Sequence, residues 1–92
     1  MEKIVVLKGG TSPEREISLV SGSEVATALR TMGYIVSEID PANYPVLSNF
    51  ITAIQNEHPL LVFNGLHGGS GENGELQATL SMAGIKYTGS NF

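Results

Sequence analysis

Two glycine-rich corners constrain this chain more than any other feature: GGTSPEREISLVSG at residues 9 to 22 and LHGGSGENGELQ at residues 66 to 77. Each follows a short apolar run and precedes residues spaced as in a helix, which is the pattern of a strand-to-helix turn in an α/β sheet. In the second corner a histidine, four glycines, a carboxylate and an amide occupy the eight residues from His67 to Gly74, more than a turn needs. Ligands of open parallel sheets bind outside the carboxyl ends of the strands. Both corners therefore fall on the edge where a pocket would be built.

The rest of the chain supplies the elements that this arrangement requires. Lys3 to Lys8 is a run of Ile, Val and Leu suited to a strand buried on both faces. Ser12 followed by Pro13 predicts a helix start, with Glu14 and Glu16 near the positive end of the dipole. The apolar side of that helix is expected along Ile17, Ser21, Val25, Ala28, Leu29 and Met32, with Gly33 ending it. Ser21 and Gly22 lack bulk, which would let its first turns lie close to the sheet.

Tyr34 to Ile39 reads as a second strand ended by Asp40-Pro41, and Tyr44 to His58 as a second helix carrying Val46, Leu47, Phe50, Ile51 and Ile54 at helical spacing. Pro59 to Asn64 is a third strand. Asn73 is the expected cap of a third helix through Leu76, Leu80 and Met82, closed by Gly84, and Ile85 to Tyr87 starts a fourth strand. The alternation predicts a three-layer α/β domain, with a mostly parallel four-stranded sheet, right-handed crossovers and about three helices.

At 92 residues the chain is one domain. A chain of this size buries only about 60–65% of the surface its unfolded form exposes, so it is expected to pack against something larger. Its 41% hydrophobic and 15% charged residues are those of a globular domain. A net charge of −4 with five Lys and Arg does not form the basic stripe that nucleic acid requires. The longest apolar runs, Ile4 to Leu7 and Leu60 to Phe63, are far shorter than the roughly 20 residues of a membrane span. No cysteine is present, and Met-Glu-Lys runs straight into a strand, so a cytoplasmic protein without disulfides or an export signal is expected.

Several side chains in the corners are candidates for chemistry, each with a plainer reading beside it. Gly9-Gly10 at a helix start can direct backbone amides toward an anion, or can simply make a tight turn. The dinucleotide spacing of glycines and the Walker Lys-Ser/Thr pair are both missing. Glu14 near the mouth of the cleft can hold an ammonium group, or can serve only the helix dipole for roughly 0.3–1 kcal/mol. Arg15 and Glu16 read as solvated or as a local ion pair.

His67 is a candidate for substrate contact or proton transfer, or a histidine satisfying local hydrogen bonds. Glu72 reads as support for the loop amides and Asn73 as a helix cap. One His and one Glu in a flexible loop fall short of a metal site, and none is expected. His58 before Pro59 has no evident role.

Taken together, GGTSPEREISLVSG, HGGSGENGELQA and the closing YTGS at residues 87 to 90 resemble, in order and spacing, the signatures of the amino-terminal domain of the D-alanine–D-alanine ligases, members of the ATP-grasp superfamily. The resemblance implies a Rossmann-like, pre-ATP-grasp fold over residues 1–92. It further implies a parent enzyme that joins two D-alanines with ATP and magnesium (or manganese), through a D-alanyl phosphate, for peptidoglycan synthesis.

By the same resemblance Glu14 is the catalytic and substrate-binding glutamate that holds the ammonium of the first D-alanine and helps dock a lid. Ile17 and His67 line that subsite, and Glu72, Gly68 and Gly69 support the loop. Asn73 stands where many members have Asp, and either residue caps a helix. The central and ATP-grasp domains that would hold ATP and metal are not within these residues, so the chain is expected to be a fragment without ligase activity of its own. The family implies a homodimeric parent. Two other readings remain: a stand-alone flavodoxin-like module binding a small ligand or anion, and a ligase making a D-Ala-D-X product such as D-alanyl-D-lactate.

Overall fold

The computed structural model describes residues 2–66 and 84–89. Strand β1 (Lys3–Leu7) leads to helix α1 (Arg15–Thr31), strand β2 (Ile35–Ile39), a short 3-10 turn at Pro41–Asn43, helix α2 (Leu47–Asn56), strand β3 (Leu61–Asn64) and strand β4 (Tyr87–Gly89). The strands form one sheet in the order β2-β1-β3-β4, and every neighbouring pair is parallel. β1 sits at the centre, with Leu7 opposite Ile39 on one side and Asn64 on the other.

The strand order explains the sequence of β1. Val5 and Leu7 turn to one face, where they pack with Ile39, Phe50, Ile54, Val62 and Leu66 under α2. Ile4 and Val6 turn to the other, against Ala26 and the partly buried Val25, Leu29, Tyr34, Val36 and Phe63 beneath α1. A strand covered on both faces has no polar side to show, so it reads as continuous Ile-Val-Val-Leu rather than as an alternation. The three expected layers are thus present around a four-stranded parallel sheet.

Helix α1 departs from expectation at its start and in its facing. It begins at Arg15 instead of Pro13, because Ser12 to Arg15 first forms a turn. The Arg15 N–H meets the Ser12 carbonyl at 3.1 Å and the Glu14 N–H meets the Ser12 hydroxyl at 3.2 Å. Glu14 occupies the cap position without a side-chain capping bond.

The fully buried stripe is Ser18, Gly22 and Ala26; of the predicted line of Ile17, Ser21, Val25, Ala28, Leu29 and Met32, Val25 and Leu29 pack against the core and are partly buried. Ile17, Val20 and Met32 are exposed. Close approach is the reason: a Cβ at position 22 would overlap that of Lys8, so the face nearest the sheet carries small residues and the larger apolar ones are displaced outward. The end of α1 follows the prediction. Gly33 has φ 100°, and the Tyr34 N–H reaches the Leu29 carbonyl at 3.1 Å in a Schellman closure.

The second helix is shorter than its predicted span of Tyr44 to His58. Pro41–Asn43 forms a separate turn, capped by the Asp40 carboxylate, which accepts from the Ala42 N–H at 2.9 Å. α2 buries Phe50 and Ile54 and leaves Val46 and Leu47 exposed. β3 begins at Leu61, two residues after Pro59, and β4 runs over Tyr87–Gly89 rather than starting at Ile85. The predicted third helix, with Asn73, Leu76, Leu80 and Met82, lies outside the described residues.

Candidate functional site

The strand order places a topological switch between β1 and β3. From β1 the chain crosses to β2 on one side, and from β2 it returns past β1 to β3 on the other. Such a reversal opens a crevice at the carboxyl ends of the two central strands. Both corners begin there, one after Leu7 and one after Asn64, residues that are register partners.

Short hydrogen bonds join the corners. The Gly65 N–H donates to the Leu7 carbonyl at 2.9 Å. The fully buried Ser18 hydroxyl accepts from the Gly9 N–H at 2.8 Å and donates to the Gly65 carbonyl at 2.7 Å. Asn64, also buried, turns its side-chain oxygen back to the Leu66 N–H at 3.1 Å, which shapes the exit from β3. One hydroxyl on the first turn of α1 thereby ties the chain leaving β1 at Gly9 to the chain leaving β3 at Gly65.

Asp40, at the end of β2, organises the first corner. Its Oδ1 accepts from the Gly10 N–H at 3.1 Å and from Ala42, and its Oδ2 pairs with Arg15 at 2.7 Å. Gly9, with φ 89°, passes so close that an added Cβ would stand 2.7 Å from Oδ2. Arg15 also donates through Nη1 to the Gly10 carbonyl at 2.8 Å. Burial pushes the Asp40 carboxyl up, but the bonds from Arg15, Ala42 and Gly10 outweigh it and hold the pKa below the ordinary carboxylate value.

This arrangement corrects two expectations. Arg15, though its side chain is 40% exposed, is neither free in solvent nor paired locally: it bonds Asp40 across the fold and braces the corner. The anion-cradle reading of Gly9-Gly10 fails, because both amides are already engaged, one by Ser18 and one by Asp40. With it goes the support for a module whose first corner takes an anion. Lys8, the cation just before the corner, is likewise committed to Glu38 at 2.6 Å and Ser23 at 2.9 Å.

Glu14 stands at the start of α1 beside this brace with its side chain exposed, and Ile17 follows on the first turn, 61% exposed. Both are on the crevice end of the helix and are open to a further molecule or segment. His67, Gly68, Gly69 and Glu72 lie outside the described residues. Leu66, the last described residue before them, is buried in the core beside Phe50 and Ile54.

An open concavity lined by Gln55, Pro59, Leu60, Gly84, Ile85 and Lys86 is at the amino ends of β3 and β4, opposite the corners. No group of three potential metal-binding side chains occurs among the described residues, and no helix among them is long and apolar enough to cross a membrane.

Sequence reasoning missed Ser18 and Asp40. The signal for Ser18 was the spacing Ser18-Gly22-Ala26, a line of small residues one turn apart. For Asp40 it was an aspartate before proline at a strand end, an arrangement that favours side-chain capping of the next turn.

Comparison with known proteins agrees with the fold. Residues 46–90 match the family model described as the D-ala D-ala ligase N-terminus. A D-alanine–D-alanine ligase of Actinobacillus pleuropneumoniae serotype 5b is 51% identical over 88 residues, covering 96% of this chain and 27% of that protein. The ligase of Glaesserella parasuis is 52% identical over the same length. Among solved structures, the Bacillus anthracis D-alanine–D-alanine ligase complexed with ATP superposes with a TM-score of 0.77 at 31% identity, over 99% of this chain and 30% of that one. The chain thus spans a little over a quarter of the length of these relatives. It belongs to the D-alanine–D-alanine ligase family, whose amino-terminal region it matches.

Proposed function

We propose that residues 1–92 form the substrate-side domain of an ATP-dependent ligase that joins two D-alanines through a D-alanyl phosphate, for cytoplasmic synthesis of a peptidoglycan precursor. The observation that supports this reading is that Glu14 is exposed at the cap of α1, on the corner that follows β1, where the Gly9 and Gly10 amides are internally satisfied. Such a corner has no spare amide at Gly9 or Gly10 for a phosphate, but it offers negative charge to an ammonium. Glu14 binds the amino group of the first D-alanine, Ile17 supplies an apolar wall, and His67 contacts the same amino acid from the second corner. Glu72, Gly68 and Gly69 shape that second corner.

The first corner does not fit ATP, and no metal-binding group of three occurs among the described residues. In this reading ATP and magnesium (or manganese) are held by other parts of the parent enzyme; a relative has been solved with ATP. The chain's own contribution is positioning and charge complementarity, effects that act by holding reactants in a productive geometry. Its parent is a homodimer in this reading.

An exposed Glu14-to-ammonium contact supplies about 0–1 kcal/mol, whereas millimolar affinity requires about 4 kcal/mol. The isolated chain accordingly binds D-alanine more weakly than millimolar and has no ligase turnover. The test is Glu14→Gln in a full-length ligase carrying these residues. Loss of a charged partner inside a closed site should lower kcat/KM for D-alanine by about thirtyfold or more, with the fold intact. Unchanged kcat/KM would remove Glu14 from the subsite.

A further inference from the structure

The Gly10 peptide is gripped from both sides. Asp40 takes its N–H, Arg15 takes its C=O, and Arg15 and Asp40 hold each other at 2.7 Å, so the three groups close a ring. The segment from Thr11 to Glu14 is the loop between Gly10 and Arg15, whose flanking residues the guanidinium ties together. The inner end is fixed again by Ser18, which takes the Gly9 N–H, and the outer end by the Arg15 N–H bond to the Ser12 carbonyl.

A surface turn of this length otherwise samples many conformations, and fixing it lowers the entropy lost when Glu14 meets a ligand. The Asp40 side chain is only 11% exposed while that of Arg15 is 40% exposed, so the carboxylate end of the brace is shielded and the guanidinium end meets solvent. Arg15 uses two different nitrogens for its two partners, a fork that a lysine ammonium does not reproduce.

We propose that Arg15 and Asp40 are a positioning pair for Glu14, setting where its carboxylate stands for the ammonium of the first D-alanine. The inference rests on the ligase reading above, and neither residue touches the substrate. Asp40 acts through Gly10 and Arg15, and Arg15 acts through the turn that it closes.

The experiment uses a full-length ligase carrying this chain, with Asp40→Asn, Arg15→Lys, the double variant and Glu14→Gln. Asp40→Asn keeps an oxygen for Gly10 and Ala42 but removes the charge facing Arg15. Expected is a rise of about five- to tenfold in KM for D-alanine at the first subsite for each single variant, with KM for ATP unchanged. The double variant should be no worse than the poorer single one, as befits two parts of one brace.

Hydrogen exchange of the peptide covering residues 10–15 should speed up in each variant while exchange in β1 and β3 is unaltered. The pair is overturned if Glu14→Gln damages kcat/KM while Asp40→Asn and Arg15→Lys leave KM for D-alanine within about twofold, an outcome that leaves the ligase reading standing. Faster exchange with an unchanged KM also overturns it, since the brace would then serve folding alone. If Glu14→Gln is itself neutral, the subsite reading and the positioning role fall together.

Discussion

At the scale of single residues, the side chains that hold the site together are small or ordinary ones in unusual surroundings. Ser18 was passed over because a serine on a helix normally faces water, and the spacing Ser18-Gly22-Ala26 marks a close-packed face without naming hydrogen-bond partners. Here it is fully buried and spends its hydroxyl on Gly9 and Gly65. Ser18→Ala would leave a buried N–H and a C=O without their partner, and a cost of about 1–3 kcal/mol is expected. Urea unfolding monitored by circular dichroism checks it, and a change below about 0.5 kcal/mol would show that water replaces the hydroxyl freely. Asp40 escaped prediction for a similar reason: its role depends on Gly10 and Arg15, some thirty residues earlier, and no local pattern encodes a partner at that distance.

Among elements, β1 was the most legible and α1 the least, and both for physical causes. A central parallel strand is apolar on both faces, so Ile4 to Leu7 identified itself. Gly33 likewise marked the end of α1 through the left-handed conformation that only glycine takes at little cost. The facing of α1 was misread because hydrophobic spacing assumes that large apolar residues contact the sheet. In this helix the contact distance is set by Gly22 against Lys8, and the stripe is Ser-Gly-Ala.

A direct consequence concerns Gly22→Ala. The usual gain of about 1 kcal/mol in helix propensity should be outweighed by overpacking, for a net loss of about 1–2 kcal/mol, measured as a lower thermal midpoint. Val20→Thr on the outward face should change stability by less than about 0.5 kcal/mol. In α2, Ile54→Ala empties a fully buried position and should cost about 2–5 kcal/mol.

For the molecule as a whole, the switch between β1 and β3 brings the starts of the two corners, after Leu7 and Asn64, to one edge of the sheet. Ion pairs join elements at both ends of the sheet. Glu38 is held below its ordinary pKa chiefly by the Lys8 bond, with Arg30 adding, and Glu57 chiefly by Lys3 with Ser37. With Asp40 these are carboxyls whose folded pKa is lowered. Their stabilisation is complete above the unfolded carboxylate range and is lost as pH falls through the folded values. Stability should therefore be level from about pH 5 upward and decline below about pH 4, with a shallower decline in Asp40→Asn. Unfolding midpoints across that range test the sign; a rise in stability on acidification would contradict it.

The central claim is that this chain supplies the first D-alanine subsite of a ligase, and exchange of parts tests it most directly. Residues 1–92 should be joined to the remaining three-quarters of the Actinobacillus pleuropneumoniae ligase in place of its matching segment. Phosphate release from ATP would then be measured with and without D-alanine. D-alanine-dependent release that disappears with Glu14→Gln is the predicted result. A folded chimera that binds ATP but releases no phosphate in response to D-alanine would contradict it.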